Sequence, residues 1–427
     1  MSDYKGVTYL KNRLAAKQSR IQLRYDYYEM KNIVRDLDVS TPPQLRWLKE
    51  VLGWCAKGVD NLADRLVFRE FKNDNFGINE IFQVNNPDIM TGSAELAALI
   101  SSCSFIYIYP DNDGRPRLQV IDGYNATGEI DPVTGLLKEG YAVLSRNNDT
   151  KSPLMEAYFL PKQTIYHDIK HNEMRVYDHP VEHPLLVPII YRPDSIRPFG
   201  HSRISRACMA LQNSAIRTLK RSEITAEFYS YPQKWITNLA QDADDEDDEE
   251  EAEGKENRTE KMDRWGSTIT SMLTLEKDED GDHPIVGQFS QASVQPHLEQ
   301  IRMFAAAFAG EVGLTIEDLG FPQANPSSAE AIKASHTALQ LTARAAQRTF
   351  GTGFLNAGYL AACLRDEYAY KREVFYQTKP AWEPIFEPDM AALGLIGDGA
   401  LKINQAVPGY FGAENMRDLT GIEPAEG

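Results

Sequence analysis

The sequence predicts a multidomain α+β protein. Three observations lead there. The chain has 427 residues, more than one hydrophobic core usually organises. Between about residues 68 and 192, short apolar runs alternate with turn residues, as in an antiparallel sheet interleaved with helical pieces. From residue 199 to 354, long amphipathic helical segments flank a polar, partly acidic excursion. An apolar content of 42% supports a folded chain.

Taken in order, residues 10–31 have helical periodicity and are dense in charge and tyrosine. Arg20, Arg24, Tyr25, Tyr27 and Tyr28 have the chemistry to meet nucleic acid, but the preferred reading is an amphipathic helix docked on the body. Pro42-Pro43 breaks the chain. Residues 44–66 are expected as a helix with Leu45, Leu48, Leu52, Cys55 and Val59 on one face. Phe68 begins a strand-like edge, and 77–84 and 93–101 read as helical. Residues 103–109 are a strong strand signal. Asp111-Asn112-Asp113-Gly114 reads as a hairpin turn rather than a metal loop, and 118–121 return as a strand. Residues 129–135 read as a loop. Strands at 140–144, 156–160, 163–167 and 174–177 continue a meander. His179, Glu182 and His183 lie close in sequence. Pro180, Pro184 and Pro188 enforce extended backbone there, so a polar loop is favoured over a metal cluster.

The next helix opens at Phe199-Gly200-His201-Ser202, with Ser202 as the expected N-cap, and runs to about Tyr229. Ile204, Cys208, Leu211, Ala215, Leu219 and Phe228 recur at helical intervals, and the span predicts a rod of about 42 Å. Tyr231-Pro232 stops it. Short strands are expected at 235–237, 265–270, 272–275 and 284–289. A second helix covers 295–312, with Pro296 in its first turn and Leu298, Ile301, Phe304, Ala305 and Phe308 on an apolar face. A third starts near Ser328, with Glu330 in its first turn. It carries Ile332, Leu339, Leu341, Ala345 and Phe350 and continues to about Arg372, with a kink or break permitted at Gly351 and Gly353. The tail has a proline-spaced strip at 382–388, short helices near 401–403 and 413–419, and an aromatic pair, Tyr410-Phe411, expected to anchor it.

The net charge of −17 is concentrated. Residues 242–253 hold ten acids in twelve positions, and without them the chain is near −7. Such a run repels itself and cannot build a core. It lacks the spacing and glycine of an EF-hand, so a solvated loop is favoured over a calcium site. Cys55, Cys103, Cys208 and Cys363 are scattered and read as reduced core residues of a cytosolic setting. Met1-Ser2-Asp3-Tyr4-Lys5 begins no signal peptide, and no apolar run is long enough for a membrane span. No Walker loop, nucleophile elbow, His-Glu-x-x-His or paired-carboxylate framework is found, so neither an enzyme nor a bound cofactor or metal is expected.

This order of elements resembles the portal proteins of tailed double-stranded DNA phages, most closely the siphophage branch. The likeness lies in Arg24-Tyr25-Asp26-Tyr27-Tyr28 on the first helix and in Arg197-Pro198-Phe199-Gly200-His201-Ser202 entering the long helix. It continues in Val312-Gly313-Leu314-Thr315, Gly320-Phe321-Pro322, Asn325-Pro326-Ser327-Ser328-Ala329-Glu330-Ala331-Ile332 and Gln347-Arg348-Thr349-Phe350. Trp382-Glu383-Pro384 and Asp398-Gly399-Ala400-Leu401-Lys402 complete it, so the resemblance spans about 20–421. It implies a ring-forming portal fold. Residues 1–67 and 68–200 correspond to the helical and α+β parts of the wing, and 201–231 and 294–313 to two stem helices. The clip is 232–293, the tunnel loop 314–328, the long wing helix 329–376 and a wing-like tail 377–427, with little or no crown. The acidic run has no counterpart in the family pattern.

The resemblance also implies partners: copies of the chain itself, usually twelve in the virion, double-stranded DNA passing without sequence specificity, terminase, a head–tail adaptor, and the major capsid or scaffolding protein. The place implied is the portal vertex of the capsid, reached from the host cytoplasm during assembly. Gln323, Asn325 and Lys333 are the candidate DNA-facing residues of the tunnel, and Arg217, Lys220 and Arg221 the candidate stem or intersubunit residues. Another ring-forming connector or a scaffold-binding protein is the alternative, and a nucleic-acid-processing enzyme a more distant one.

Overall fold

The computed structural model describes residues 4–35, 47–230, 234–237, 285–288, 293–322, 335–386, 388 and 390–422. They form two compact units. The first comprises Met1–Ile33, Leu52–Gln212 and Ala306–Gly427, the second Val34–Val51 and Asn213–Ala305.

The first unit opens with α1 (Val7–Tyr28), α2 (Trp54–Ala63), β1 (Phe68–Lys72), α3 (Ile78–Val84) and α4 (Pro87–Ser101). Then come β2 (Cys103–Pro110), β3 (Pro116–Asp122), β4 (Ala126–Ile130), β5 (Leu137–Arg146), β6 (Pro153–Leu160), β7 (Gln163–Asp168), β8 (Glu173–Asp178) and β9 (Leu186–Ile190). The single sheet expected from the meander is in fact two. One has the order β3-β2-β9 and the other runs β4-β5-β6-β7-β8, all antiparallel. The reason lies in β2, whose first six residues are all buried. A strand covered on both faces sits in the middle of a sheet, and β9 supplies its second partner, with Ile106 opposite both Val120 and Val187. Glu129 and Ile130, expected in a loop, belong to β4.

Helix α1 docks on the five-stranded sheet, as preferred from sequence. Leu10 and Leu14 pack with Tyr141 and Val143. The buried Glu139 accepts the backbone N–H of Lys5 at 2.8 Å and the Tyr158 hydroxyl at 2.7 Å. Glu156, also buried, accepts from Tyr141 at 2.6 Å and lies 2.8 Å from His167 Nδ1. At the far end of α1, the Tyr28 hydroxyl donates to Asp60 at 2.8 Å.

Helix α2 is much shorter than the expected 44–66. It starts at Trp54, directly after Gly53; Leu48 and Leu52 precede it in irregular chain, and Leu45 lies outside the described residues. Apolar periodicity continued upstream, but Gly53 adopts a non-helical conformation and helix formation is weakest at glycine. Helix α4 begins earlier than the expected 93, with Pro87 in its first turn.

The chain continues through α5 (Arg206–Ser230), the antiparallel pair β10 (Lys234–Thr237) and β11 (Ile285–Gln288), and α6 (Gln295–Val312). Helix α6 has the bounds read from the sequence. The strands expected at 265–270 and 272–275, like the acidic run, lie outside the described residues. Both α5 and α6 contribute residues to each unit.

Helix α7 (Thr337–Arg365) is the axis of the first unit. Its second half is buried around its whole circumference, from Gly353 to Leu364. Gly351 and Gly353 do not break it. Instead, a Cβ at Gly351 would lie 2.6 Å from Pro380, one at Gly353 2.6 Å from Ile189, and one at Gly358 2.3 Å from Ile78. These glycines let neighbouring elements approach. The helix ends at Arg365, seven residues short of the expected end, and its Leu341 is exposed. Phe354 enters an aromatic cluster with Phe68, Phe82 and Trp382, at centroid distances of 5.5, 6.5 and 6.1 Å. Trp382 closes β12 (Lys379–Trp382), which pairs with β1.

The tail forms α8 (Met390–Ala406) and α9 (Ala413–Thr420). The aromatic pair is not its anchor, since Tyr410 is 65% exposed. The Asn404 amide instead bonds both backbone groups of Phe411. Helix α9 buries no residue and is held by ions: Asp418 pairs with Arg69 and Lys72, and Arg417 with Glu70.

Helix propensity alone favours Ala over Gly by about 1 kcal/mol. Packing at Gly358 reverses that sign. Gly358→Ala is expected to destabilise the protein by about 1–3 kcal/mol in urea unfolding. A stabilised variant would mean that Ile78 yields freely.

Candidate functional site

The residues that enter and leave the two long helices α5 and α6 form a hydrogen-bonded polar cluster in the first unit. The approach to α5 is set at Gly200, whose φ is +72° and whose Cβ would lie 2.0 Å from the Tyr191 carbonyl oxygen. No side chain fits there. His201 N–H then donates to that same carbonyl at 2.9 Å.

The N-cap of α5 is Ser205, not Ser202. The Ser205 hydroxyl accepts the Cys208 N–H at 3.1 Å, the usual reach of a cap to the third helical residue. It also donates to Glu311 at 2.8 Å. Ser202 serves upstream, donating to the Ile100 carbonyl at 2.6 Å. Between the two serines stands Arg203, buried at 8% exposure. Its Nε donates to the Gly58 carbonyl at 3.1 Å and its Nη2 to the Val312 carbonyl. Its backbone N–H donates to Leu99 at 2.8 Å. One guanidinium therefore ties α2, the start of α5 and the end of α6. The fully buried Gln212 adds a bond one turn further on, accepting the Cys55 N–H at 2.8 Å.

Helix α6 ends in a Schellman turn. Gly313 has φ +69°, and Leu314 N–H reaches back to Ala309 at 2.9 Å, with Leu314 buried. Thr315 and Asp318 then cap each other. The Asp318 carboxylate accepts the Thr315 N–H at 2.8 Å and its hydroxyl at 2.9 Å, while Asp318 N–H donates to Thr315 Oγ1. Burial raises the Asp318 pKa, but the Thr315 bonds and the His336 ring 3.4 Å away outweigh it and hold the carboxyl below its ordinary value.

In the second unit, Thr218 on α5 donates to Gln300 on α6 at 3.3 Å, and Thr225 meets His297 at 3.4 Å. Partner numbers rise on one helix as they fall on the other, so these segments run antiparallel. Ala215, Ile216, Ile224, Ile301 and Ala305 are buried. Leu298, expected on the apolar face, is 47% exposed. The three sequence candidates here separate. Arg217 is half-buried and donates to Ser214 at 3.0 Å, Arg221 is half-buried, and Lys220 is buried with partners inside the chain. Gln323, Asn325 and Lys333 lie outside the described residues.

Elsewhere, His179 is buried and desolvation pulls its pKa down to about 4. Among the described residues no trio of His, Cys, Asp or Glu is disposed to hold a metal, and no helix is long and apolar enough to cross a membrane. All four cysteines are buried and free. Sequence reading missed Arg203 and Ser205. Ser205 carries a signal, since it sits three residues before the periodic Cys208. Arg203 carries none, because a lone arginine before a helix looks like a solvated one.

The model of the family described as "Phage portal protein, SPP1 Gp6-like" matches residues 8–385. The chain belongs to that portal family. It is similar to the portal protein of Mycobacterium phage D29, 24% identical over 420 residues that cover 94% of this chain and 82% of the relative. It is also similar to the portal protein of Mycobacterium phage L5, 23% identical over 332 residues, 73% of this chain and 65% of that one. Among solved structures, a chain of the "Virion of native gene transfer agent (GTA) particle" aligns with TM-score 0.42 and 13% identity, covering 87% of this chain and 90% of that one. A chain of the "Neck of native GTA particle computed with C12 symmetry" gives 0.43 and 14% over the same shares. This portal chain thus has a structural role in a virion, at the head–tail connector.

Arg203→Met removes the donor to two buried carbonyls and is expected to cost about 2 kcal/mol in urea unfolding. Arg203→Lys keeps the charge but has no planar fork to span both, and should recover less than half of that loss. Full recovery by lysine would reduce the role of Arg203 to its charge.

Proposed function

We propose that copies of this chain close into a ring at one capsid vertex, usually of twelve, which DNA enters during packaging and leaves during ejection. Terminase docks on the ring during packaging and head–tail adaptors replace it afterwards, while the major capsid or scaffolding protein surrounds it. The observation that carries this reading is the plan of α5, a β10–β11 pair and α6, in a chain of the portal family. In that reading α5 and α6 are the stem, the β pair belongs to the clip, and the Thr315–Asp318 cap stands at the start of the tunnel loop, 314–328.

Physical chemistry supports it in two ways. A ring closes only through a heterologous interface, with different faces of one chain in contact around the axis. Helix α6 exposes Met303, Ala306, Ala307 and Gly310, small or pliant side chains that let a neighbouring helix come close. On α5, Arg217 and Arg221 lie one turn apart on the same face and keep solvent access, so they are the residues we assign to intersubunit pairing. Lys220 serves inside its own chain. Gln323, Asn325 and Lys333 remain the proposed tunnel-facing residues. The chain itself is not an enzyme in this reading, and ATP hydrolysis belongs to terminase.

Images of the purified protein should show a ring with an axial hole, with 206–230 and 295–312 in its wall, and the ring should hydrolyse no ATP. A compact monomer, or a ring with those segments at its periphery, would sink the proposal. Reversing both half-buried arginines, Arg217→Glu with Arg221→Glu, should shift mass photometry from rings to free subunits without altering the far-UV spectrum. Intact rings would move the interface elsewhere.

A further inference from the structure

The distribution of charge on α1 is at odds with the rest of the chain. Between residues 4 and 25 stand Lys5, Lys11, Arg13, Lys17, Arg20 and Arg24 and not one acid, in a chain of net charge −17. Part of this row is consumed by docking. Lys5 and Arg13 pair with Glu129, and Lys11 with Glu156. Lys17 is spent on the Ala126 carbonyl at 2.8 Å and on the Phe199 ring, 5.6 Å from its ammonium.

The other end of the row is not consumed. Arg20 and Arg24 line a cleft of about 310 Å³, and Arg197 faces them from the 196–201 turn. Among the described residues the Arg24 guanidinium reaches only the Ser101 carbonyl, at 3.3 Å, and the Arg197 guanidinium only the His201 ring, at 3.3 Å. Among the described residues no carboxylate lies within 4.0 Å of any of the three guanidinium groups, although the Arg197 backbone N–H donates to Asp194. Acids bonded to residues of the lining are engaged there, Glu129 by Arg13 and Asp194 by His201 at 2.6 Å. Arg24 is made less basic first by burial and then by the charges of Arg20 and Arg197. Three guanidinium groups that repel one another across an open cleft are a site short of an anion.

We infer that this cleft binds backbone phosphates of duplex DNA. Arginine forks match phosphate oxygens bidentately. Arg20 and Arg24 stand one turn apart on α1 and Arg197 faces them from a separate turn, so three forks on two segments can engage successive phosphates of one strand rather than a single small anion. Such contacts carry no base readout, so binding is independent of sequence. The inference rests on the proposed function only for the identity of the polyanion. It concerns a holding contact in the first unit, separate from the passage of DNA through a ring.

The test uses the full chain and a labelled duplex of mixed sequence, read by fluorescence anisotropy across a salt series. Arg20→Gln with Arg197→Gln removes two exposed cations and leaves the Arg24 bond intact. Each phosphate contact contributes about 0.9 to the slope of log K against log salt, so the double variant should lose about 1.8 of slope and bind at least about tenfold more weakly at low salt. An unchanged slope in a folded double variant overturns the site. Displacement of duplex by polyglutamate at equal charge concentration also overturns it, by assigning the cleft to an acidic peptide. Ring images of the same variant report on the proposed function independently, so failure of one reading is distinguishable from failure of the other.

Discussion

A buried guanidinium has to find acceptors, and Arg203 finds them where two helices offer carbonyls. Taking a charge out of water costs several kcal/mol unless it is fully bonded. That cost makes the arrangement selective. Arg203 is satisfied only while Gly58 of α2 and Val312 at the end of α6 are both within reach. The C-terminus of a helix carries partial negative charge, so Val312 is a favourable place for a cation. The Schellman turn at Gly313 ends α6 there and leaves the Val312 carbonyl turned to the arginine. Capping, turn chemistry and buried charge thus agree on one geometry for the base of the helix pair.

The same agreement explains which parts of the fold were legible in the sequence. Helix α6 could be bounded because Pro296 and Gly313 punctuate it, and both act through local backbone chemistry. The strands of the meander were legible because turn residues separate them. What failed was long-range. Leu48 and Leu52 continue a helical period, yet the helix starts only after Gly53, and periodic apolar residues also suit irregular chain. Gly351, Gly353 and Gly358 look like weak points in a helix. They are contact points, and only the neighbours Pro380, Ile189 and Ile78 reveal it. The division into two sheets was hidden for a similar reason, since β2 and β9 are more than seventy residues apart in the chain.

The candidate site was legible to a lesser degree. Arg217, Lys220 and Arg221 form one basic face on paper, but a buried lysine and two accessible arginines do different work. Burial depends on what packs against a face, which sequence does not state. The identity of the family was legible from the order of segments, because order survives where individual residues drift: the D29 relative is only 24% identical across nearly the whole chain.

Charge placement follows a logic that composition conceals. DNA passing along a wall must break every contact it makes, and each breakage at a repeated cation adds friction that multiplies with the number of subunits. A surface that holds DNA needs the opposite, several arginines acting together, because their contacts release counterions in concert and resist dilution of the site. One chain can do both only by segregating its cations. In the proposed reading Arg20, Arg24 and Arg197 act together at one cleft, while α5 and α6 carry Arg206, Arg217, Arg221 and Arg302 at separate places and bury Lys220. A net charge of −17 is therefore compatible with strong local affinity for phosphate, since binding depends on the potential within about a Debye length and not on the sum over the chain.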